Sequence, residues 1–325
     1  MIIDIHTHII PKSYFKKLRE LKNIPRIEQD KNGDYRLWYD SKLGYSFNQK
    51  MYSLDQKLED MEKAGIDAQV LSLATPGVDL FEPDLALELA RNVNNEIAEI
   101  TEKHNRFIGF ATVPLSAAEQ APDELERAIN SLGLKGAGIS SNIMGKTLDC
   151  EDFWPFYEKA TELNVPIMIH PTRPLMINVL KDFGLANVVG FLFDTTLAIL
   201  RIIFGGILEK YKKLKFLLPH GGSTVPYIIS RIDHQYKINP ECREKISKFP
   251  SEYFKSIYID TAQSFYEPAM MCAYALMGPD KIVFGSDYPF ASLERSVNCV
   301  KNMDLPTGDK ERILGKNAAK ILKLK

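Results

Sequence analysis

Met1-Ile2-Ile3-Asp4-Ile5-His6-Thr7-His8 opens the chain with an apolar run that ends in a histidine pair. The same syntax returns twice. Val165-Pro166-Ile167-Met168-Ile169-His170 is an apolar run stopped by histidine, and Leu214–Pro219 runs straight into His220-Gly221-Gly222. A fourth run, Lys281–Ser286, is followed by Asp287-Tyr288-Pro289-Phe290. Apolar runs of this length, bounded by polar residues, read as strands buried on both faces, the pattern of a parallel sheet.

Working outward, further strands fall at Ala68–Leu73, Phe107–Val113, Gly136–Ser140 and Ser256–Asp260. Helical patterns alternate with them. Ser53-Leu54-Asp55-Gln56 reads as a capping box, with Leu54, Leu58 and Met61 at helical spacing before Gly65. Pro83 opens a helix to about Lys103, and further helices are expected at 152–163, 187–210, 225–234 and 268–277. Eight strands alternating with helices over 325 residues predict an α/β fold, a (β/α)8 TIM barrel in one domain, 1–325. A doubly wound open sheet is the alternative. Residues 9–52 break the alternation. This insertion after the first strand carries an Asn32-Gly33 turn and the aromatics Trp38, Tyr39, Tyr45 and Phe47. It reads either as a lid over the catalytic face or as a surface hairpin packed by its own rings.

Composition narrows the function. Apolar residues make up 45% and charged residues 26%, which excludes disorder as the main state. The formal net charge of −1 argues against a nucleic-acid partner. No stretch of about 18 uninterrupted apolar residues argues for a membrane span, and the N-terminus lacks a signal-peptide pattern. Cys150, Cys242, Cys272 and Cys299 form no CxxC pair, so a reduced, cytoplasmic setting is expected. A metal site must then use histidine and carboxylate.

His6 and His8, two apart on a strand, share one face. In a barrel the C-terminal strand ends converge, so His6, His8, His170, His220 and Asp287 meet at one mouth. Taken singly, each has a plainer reading: a bonded core histidine, or an aspartate capping a helix. Together they point to a cation such as Zn2+. His104 and His234, in helical polar contexts, carry no expected role.

These motifs, D-I-H-T-H at 4–8, I-H-P at 169–171, H-G-G at 220–222 and G-S-D-Y-P-F at 285–290, resemble the amidohydrolase superfamily. Within it, the similarity is to the branch containing aminocarboxymuconate-semialdehyde decarboxylase and γ-resorcylate decarboxylase. Asp194-Thr195-Thr196 and Ser230-Arg231-Ile232-Asp233 are similar to this branch as well. The resemblance implies one divalent ion, zinc foremost with manganese as the second choice, held by His6, His8, His170 and Asp287. It implies His220 as catalytic acid/base, with Asp287 as a second catalytic group. Binuclear relatives carry a bridging lysine after the fourth strand; here Ser140-Ser141-Asn142 stands there, which favours one metal.

The expected activity is a metal-dependent decarboxylase of a small aromatic or unsaturated carboxylate. The alternative is a metal-dependent hydrolase of an ester, lactone or amide using metal-activated water. Asn48 and Asn239 stand where the resembled decarboxylase has substrate-binding arginines, which counts against that particular substrate. Asn48, Arg173 and Phe290 are the candidate substrate contacts, Arg173 for an anion and Phe290 for a planar ring. The expected partners are a small-molecule substrate and, by resemblance, a second copy in a homodimer.

Overall fold

The computed structural model describes residues 1–324. Eight parallel strands make the barrel: β1 (Ile3–Ile9), β5 (Ala68–Leu73), β6 (Phe107–Thr112), β7 (Gly136–Ser140), β8 (Pro166–His170), β9 (Lys215–Leu218), β10 (Ile257–Asp260) and β11 (Ile282–Val283), adjacent in that order. The last strand returns to the first: Ile5 N donates to Phe284 O at 2.9 Å and Asp287 N to His6 O at 2.9 Å. Helices at Leu54–Ala64, Pro83–Lys103, Trp154–Leu163, Phe191–Phe204, Val225–Ile238 and Glu267–Met277 flank it.

Strand alternation divides the apolar side chains between two cores. On β8, Ile167 and Ile169 point outward to the helices, while Met168 joins Ile3, Ile5, Val70, Phe110 and Leu217 inside. Ile321 and Leu322 from the C-terminal helix join this inner core. Burial on both faces explains why the strands read as unbroken apolar runs. On β1 the interior residues change parity. Ile3 and Ile5 face inward, yet so do His6 and His8, because the register with β5 shifts between Asp4 and Thr7. A bulge of this kind re-aims the side chains that follow it.

Several boundaries differ from expectation. β11 spans two residues instead of six, because the N–H groups that follow it leave the ladder: Phe284 N donates to Ile313 O, Gly285 N to the Thr261 hydroxyl and Ser286 N to the Asp4 carboxylate. The helical stretch expected at 187–210 breaks at Gly205-Gly206, where Gly206 adopts φ +82°. The stretch before the break, Ala186–Phe204, is long and apolar enough to cross a bilayer on length and composition alone. Here its Thr195, Ile199, Ile202 and Ile203 are buried against the barrel. At the Ser53 cap, the hydroxyl accepts from Gln56 N at 3.3 Å, but the Gln56 side chain turns to Asp60, so only half of the capping box forms.

The insertion holds more order than its turn revealed. It contains a helix, Lys12–Glu20, and a three-stranded antiparallel sheet of β2 (Arg26–Gln29), β3 (Tyr35–Trp38) and β4 (Gly44–Phe47). Asn32-Gly33 lies at the β2–β3 turn. Asp30 accepts there from Asn32 N and Asp34 N, and Gly33 takes φ +88°. Four-residue strands carry too little alternation to be read from sequence.

Candidate metal centre and substrate cavity

β1 delivers His6 and His8, β8 ends in His170, the turn after β9 begins with His220, and Asp287 follows β11. His220 and Asp287 adopt φ +56° and +64°, a conformation that costs a non-glycine residue about 1–3 kcal/mol. Backbone bonds hold both: His220 N donates to Asp260 Oδ1 at 2.8 Å, and Asp287 N to His6 O. Ligand atoms of His6, His170, His220 and Asp287 all lie within 4.8 Å of one another. His8 joins them, with Nε2 3.0 Å from His6 Nε2 and 3.1 Å from Asp287 Oδ1.

The surrounding bonds define the tautomers. His6 Nδ1 donates to Asp260 Oδ2 at 2.7 Å. His170 Nδ1 donates to Pro171 O at 2.9 Å. Ser72 Oγ gives its proton to Thr7 O, so it accepts from His8 Nδ1 at 3.2 Å. In the neutral rings each Nε2 therefore turns a lone pair inward, and the Nε2 atoms of His6 and His8 stand 3.0 Å apart. His170 Nε2 is buried without a hydrogen-bond partner. Facing lone pairs of neutral rings repel; a proton or a metal cation between them removes the conflict. The 3.0 Å gap is below twice a zinc–nitrogen bond of about 2.0–2.1 Å, so one ion can reach both. The donor set thus fits a divalent metal.

For His8 and His170 the electrostatics agree with that reading. Burial pushes His8 down to about 4, and burial together with His8 and His6 holds His170 well below its usual range, so both rings are neutral. Burial opposes the charge on His6 as well, but Asp260 and Asp287 beside it win and raise it to about 9, so the metal-free His6 ring holds a second proton on Nε2, which a bound cation must replace. Burial also disfavours the Asp287 carboxylate, yet the neighbouring His220 and His8 and the charge on His6 hold it far below the ordinary carboxylate range. Asp287 divides the cluster. Its Oδ1 faces His6 and His8, while its Oδ2 faces His220 Nε2 at 3.7 Å and accepts from Gln263.

Three supporting residues escaped the sequence reading. Asp260 fixes His6 and the His220 backbone at once. Its signal was present, because β10 ends in aspartate as β8 ends in histidine. Lys57, fully buried, donates from Nζ to His8 O at 2.7 Å and lies over the Tyr288 ring; burial lowers it to about 7. Gln263, at φ +52°, had no sequence signal.

Above the cluster opens a cavity of about 580 Å3. Phe290 lines it, 5.8 Å from His8 and 5.1 Å from Tyr45 of the insertion. The other two expected substrate contacts do not. Asn48 is exposed and accepts from Lys50 N, capping a turn. Arg173 donates to Asp40 at 2.7 Å. Asn239 likewise caps a turn, accepting from Glu241 N. After β7, Ser140 bonds to Asp79, and Ser141 and Asn142 bond to Asp194; no lysine stands there to bridge a second ion. Thr195 and Thr196 hydrogen-bond to Ser223 and Thr224, fastening the long helix to the His220 turn.

Comparison with known proteins gives the same picture. The amidohydrolase family model matches residues 3–324. The 2-amino-3-carboxymuconate-6-semialdehyde decarboxylase of Dictyostelium discoideum is 30% identical over 99% of this chain and 91% of its own length. The gamma-resorcylate decarboxylase of a Polaromonas species is 32% identical over 83% of this chain and 87% of its own. A crystal structure of 5-carboxyvanillate decarboxylase from Novosphingobium aromaticivorans, complexed with manganese and 4-hydroxy-3-methoxy-5-nitrobenzoic acid, superposes with a TM-score of 0.87. It is 27% identical, over 100% of this chain and 96% of that one.

Proposed function

The chain belongs to the amidohydrolase family, and from that premise we propose that it is a lyase: a metal-dependent decarboxylase of a small aromatic or unsaturated carboxylate. The observation that carries this is the inward-facing set of Nε2 lone pairs beside a cavity walled by aromatic rings. Relatives named as decarboxylases, matched over most of their length, support breaking a carbon–carbon bond over hydrolysis.

His6, His8, His170 and Asp287 are the proposed ligands, and zinc the proposed ion, with manganese the alternative. The bound cation supplies positive charge to hold the substrate carboxylate. The remaining work falls to the chain. Phe290 and Tyr45, packed edge to face in the cavity wall, offer aromatic surface to a planar ring. His220, on the Oδ2 side of Asp287, delivers a proton to the carbon that loses its carboxylate. As the carbon–carbon bond breaks, its electron pair ends in the new C–H bond, and CO2 leaves with no redox change. Asp287 helps keep His220 oriented for that transfer.

The insertion is the proposed lid, since Tyr39, Gly44 and Tyr45 line the cavity. Two copies pairing over the exposed apolar strip of Val188, Phe193 and Leu197 form the proposed homodimer. The four free cysteines suit a cytoplasmic setting, and a small molecule is the expected partner, without nucleic acid or membrane.

The test is elemental analysis with a CO2-release assay on three proteins. Wild type should carry about one ion per chain and release CO2. His170→Ala should lose the ion. His220→Ala should keep it and lose turnover. Joint loss of ion and turnover in His220→Ala would make His220 a ligand and overturn this division of roles.

A further inference from the structure

The cavity gathers its histidines and its one carboxylate at the floor. His170, His220 and Asp287 stand there, while the walls are aromatic, apolar or neutral. Tyr45, Phe191, Phe265 and Phe290 supply aromatic wall; Thr75, Asn187, Ser223 and Gln263 supply uncharged polar groups. Among the described residues, no lysine or arginine lines it.

The cations of the adjoining loop are held away. Arg173, three residues beyond His170, donates from Nε to Asp40 Oδ2 at 2.7 Å, and Lys181 Nζ lies 3.3 Å from the other oxygen. Asp40 is buried and follows Tyr39, a lining residue of the insertion. A second pair, Lys42 with Asp182 at 2.8 Å, ties the same insertion to the same loop.

Resting on the decarboxylase reading, we infer that the cavity selects acids with one carboxylate on an otherwise uncharged ring, and that Asp40 enforces this by withholding Arg173 and Lys181. One carboxylate is met at the floor. A second would be buried against aromatic walls without a counter-charge, which is strongly unfavourable. Discrimination here comes from a missing attraction, a recognised route to specificity. Asp40 is a positioning residue: it acts through the cations it holds.

The experiment uses the metal-loaded full chain and a panel of hydroxybenzoates, salicylate included, each beside its ring-carboxylated counterpart. Calorimetric Kd and kcat/KM for CO2 release are measured for wild type, Asp40→Asn and Arg173→Gln. In wild type the monocarboxylate should win by at least about tenfold in both quantities. Asp40→Asn should narrow that ratio by freeing Arg173. Arg173→Gln should leave it unchanged, with salicylate affinity intact.

A wild type that takes the dicarboxylate equally well overturns the inference, as does an unchanged ratio in Asp40→Asn. Loss of salicylate binding in Arg173→Gln overturns it too, by making Arg173 a substrate contact. Absence of binding by every acid in the panel overturns it outright. If acids bind but none releases CO2, the decarboxylase reading falls, while the Kd ratios still decide the charge selection. Should Asp40→Asn fail to fold, the wild-type ratios and Arg173→Gln decide alone.

Discussion

A histidine becomes a metal ligand when its other nitrogen is already bonded. In this protein each of three ligand candidates has Nδ1 occupied by a different acceptor: Asp260, Ser72 and Pro171 O. That arrangement orients the ring and defines its tautomer. Asp260 is the most constrained of the three acceptors. One oxygen takes the His6 proton, and the other accepts from the backbone of His220 and Ala262. Every neighbour is a donor, so an amide in its place turns an NH2 against one of them. Asp260→Asn should therefore weaken metal affinity by about 10–100-fold, measured by chelator competition with circular dichroism as a check on the fold. Unchanged affinity would mean that the tautomers are other than described.

Among the elements, the approach of β11 to β1 decides where Asp287 lies. Gly285 makes that approach possible. A Cβ there would stand 2.8 Å from His6 Cβ and 3.0 Å from Asp260 Cβ, with side-chain stems that have little freedom to retreat. Gly285→Ala should push the segment off β1, at a cost of about 1–3 kcal/mol in stability, and should lower metal occupancy. Urea unfolding of the metal-free variant, paired with elemental analysis, measures both. A variant with normal stability and full occupancy would show that β1 and the Asp287 segment can separate without loss. The bulge in β1 belongs to the same scale, because it alone lets both the apolar pair and the histidine pair face the interior.

Across the whole molecule, buried carboxylates set how stability answers pH. Asp79 is 2% exposed, accepting from Ser116 N and Ser140 Oγ. Burial outweighs those bonds and raises it from 3.8 to about 6. The folded state thus keeps a proton that the unfolded chain releases at lower pH. Between those two values folding takes up a proton, so stability is full below the lower and falls as pH rises through the upper. The total is about 3 kcal/mol, at roughly 1.4 kcal/mol per unit. Metal-free wild type should lose about that much relative to Asp79→Asn as pH rises through the window, read from paired urea titrations. Parallel curves for the two proteins would place the titration elsewhere.

Much of this architecture was legible in the sequence for a definite reason. Parallel strands buried on both faces must be apolar throughout, and chemistry at a barrel mouth must sit where those runs end. His6, His8, His170, His220 and Asp287 all stand at such ends, so an ordered chain of motifs sufficed to group them. What lay outside its reach depends on contacts between distant segments. Asp260 meets His6 from 254 residues away, and Asp40 claims Arg173 from 133. Arg173 and Asn48 read as substrate contacts because position along the chain was known and partner was not. A charged side chain has no role until the opposing charge is placed, and only the folded chain places it.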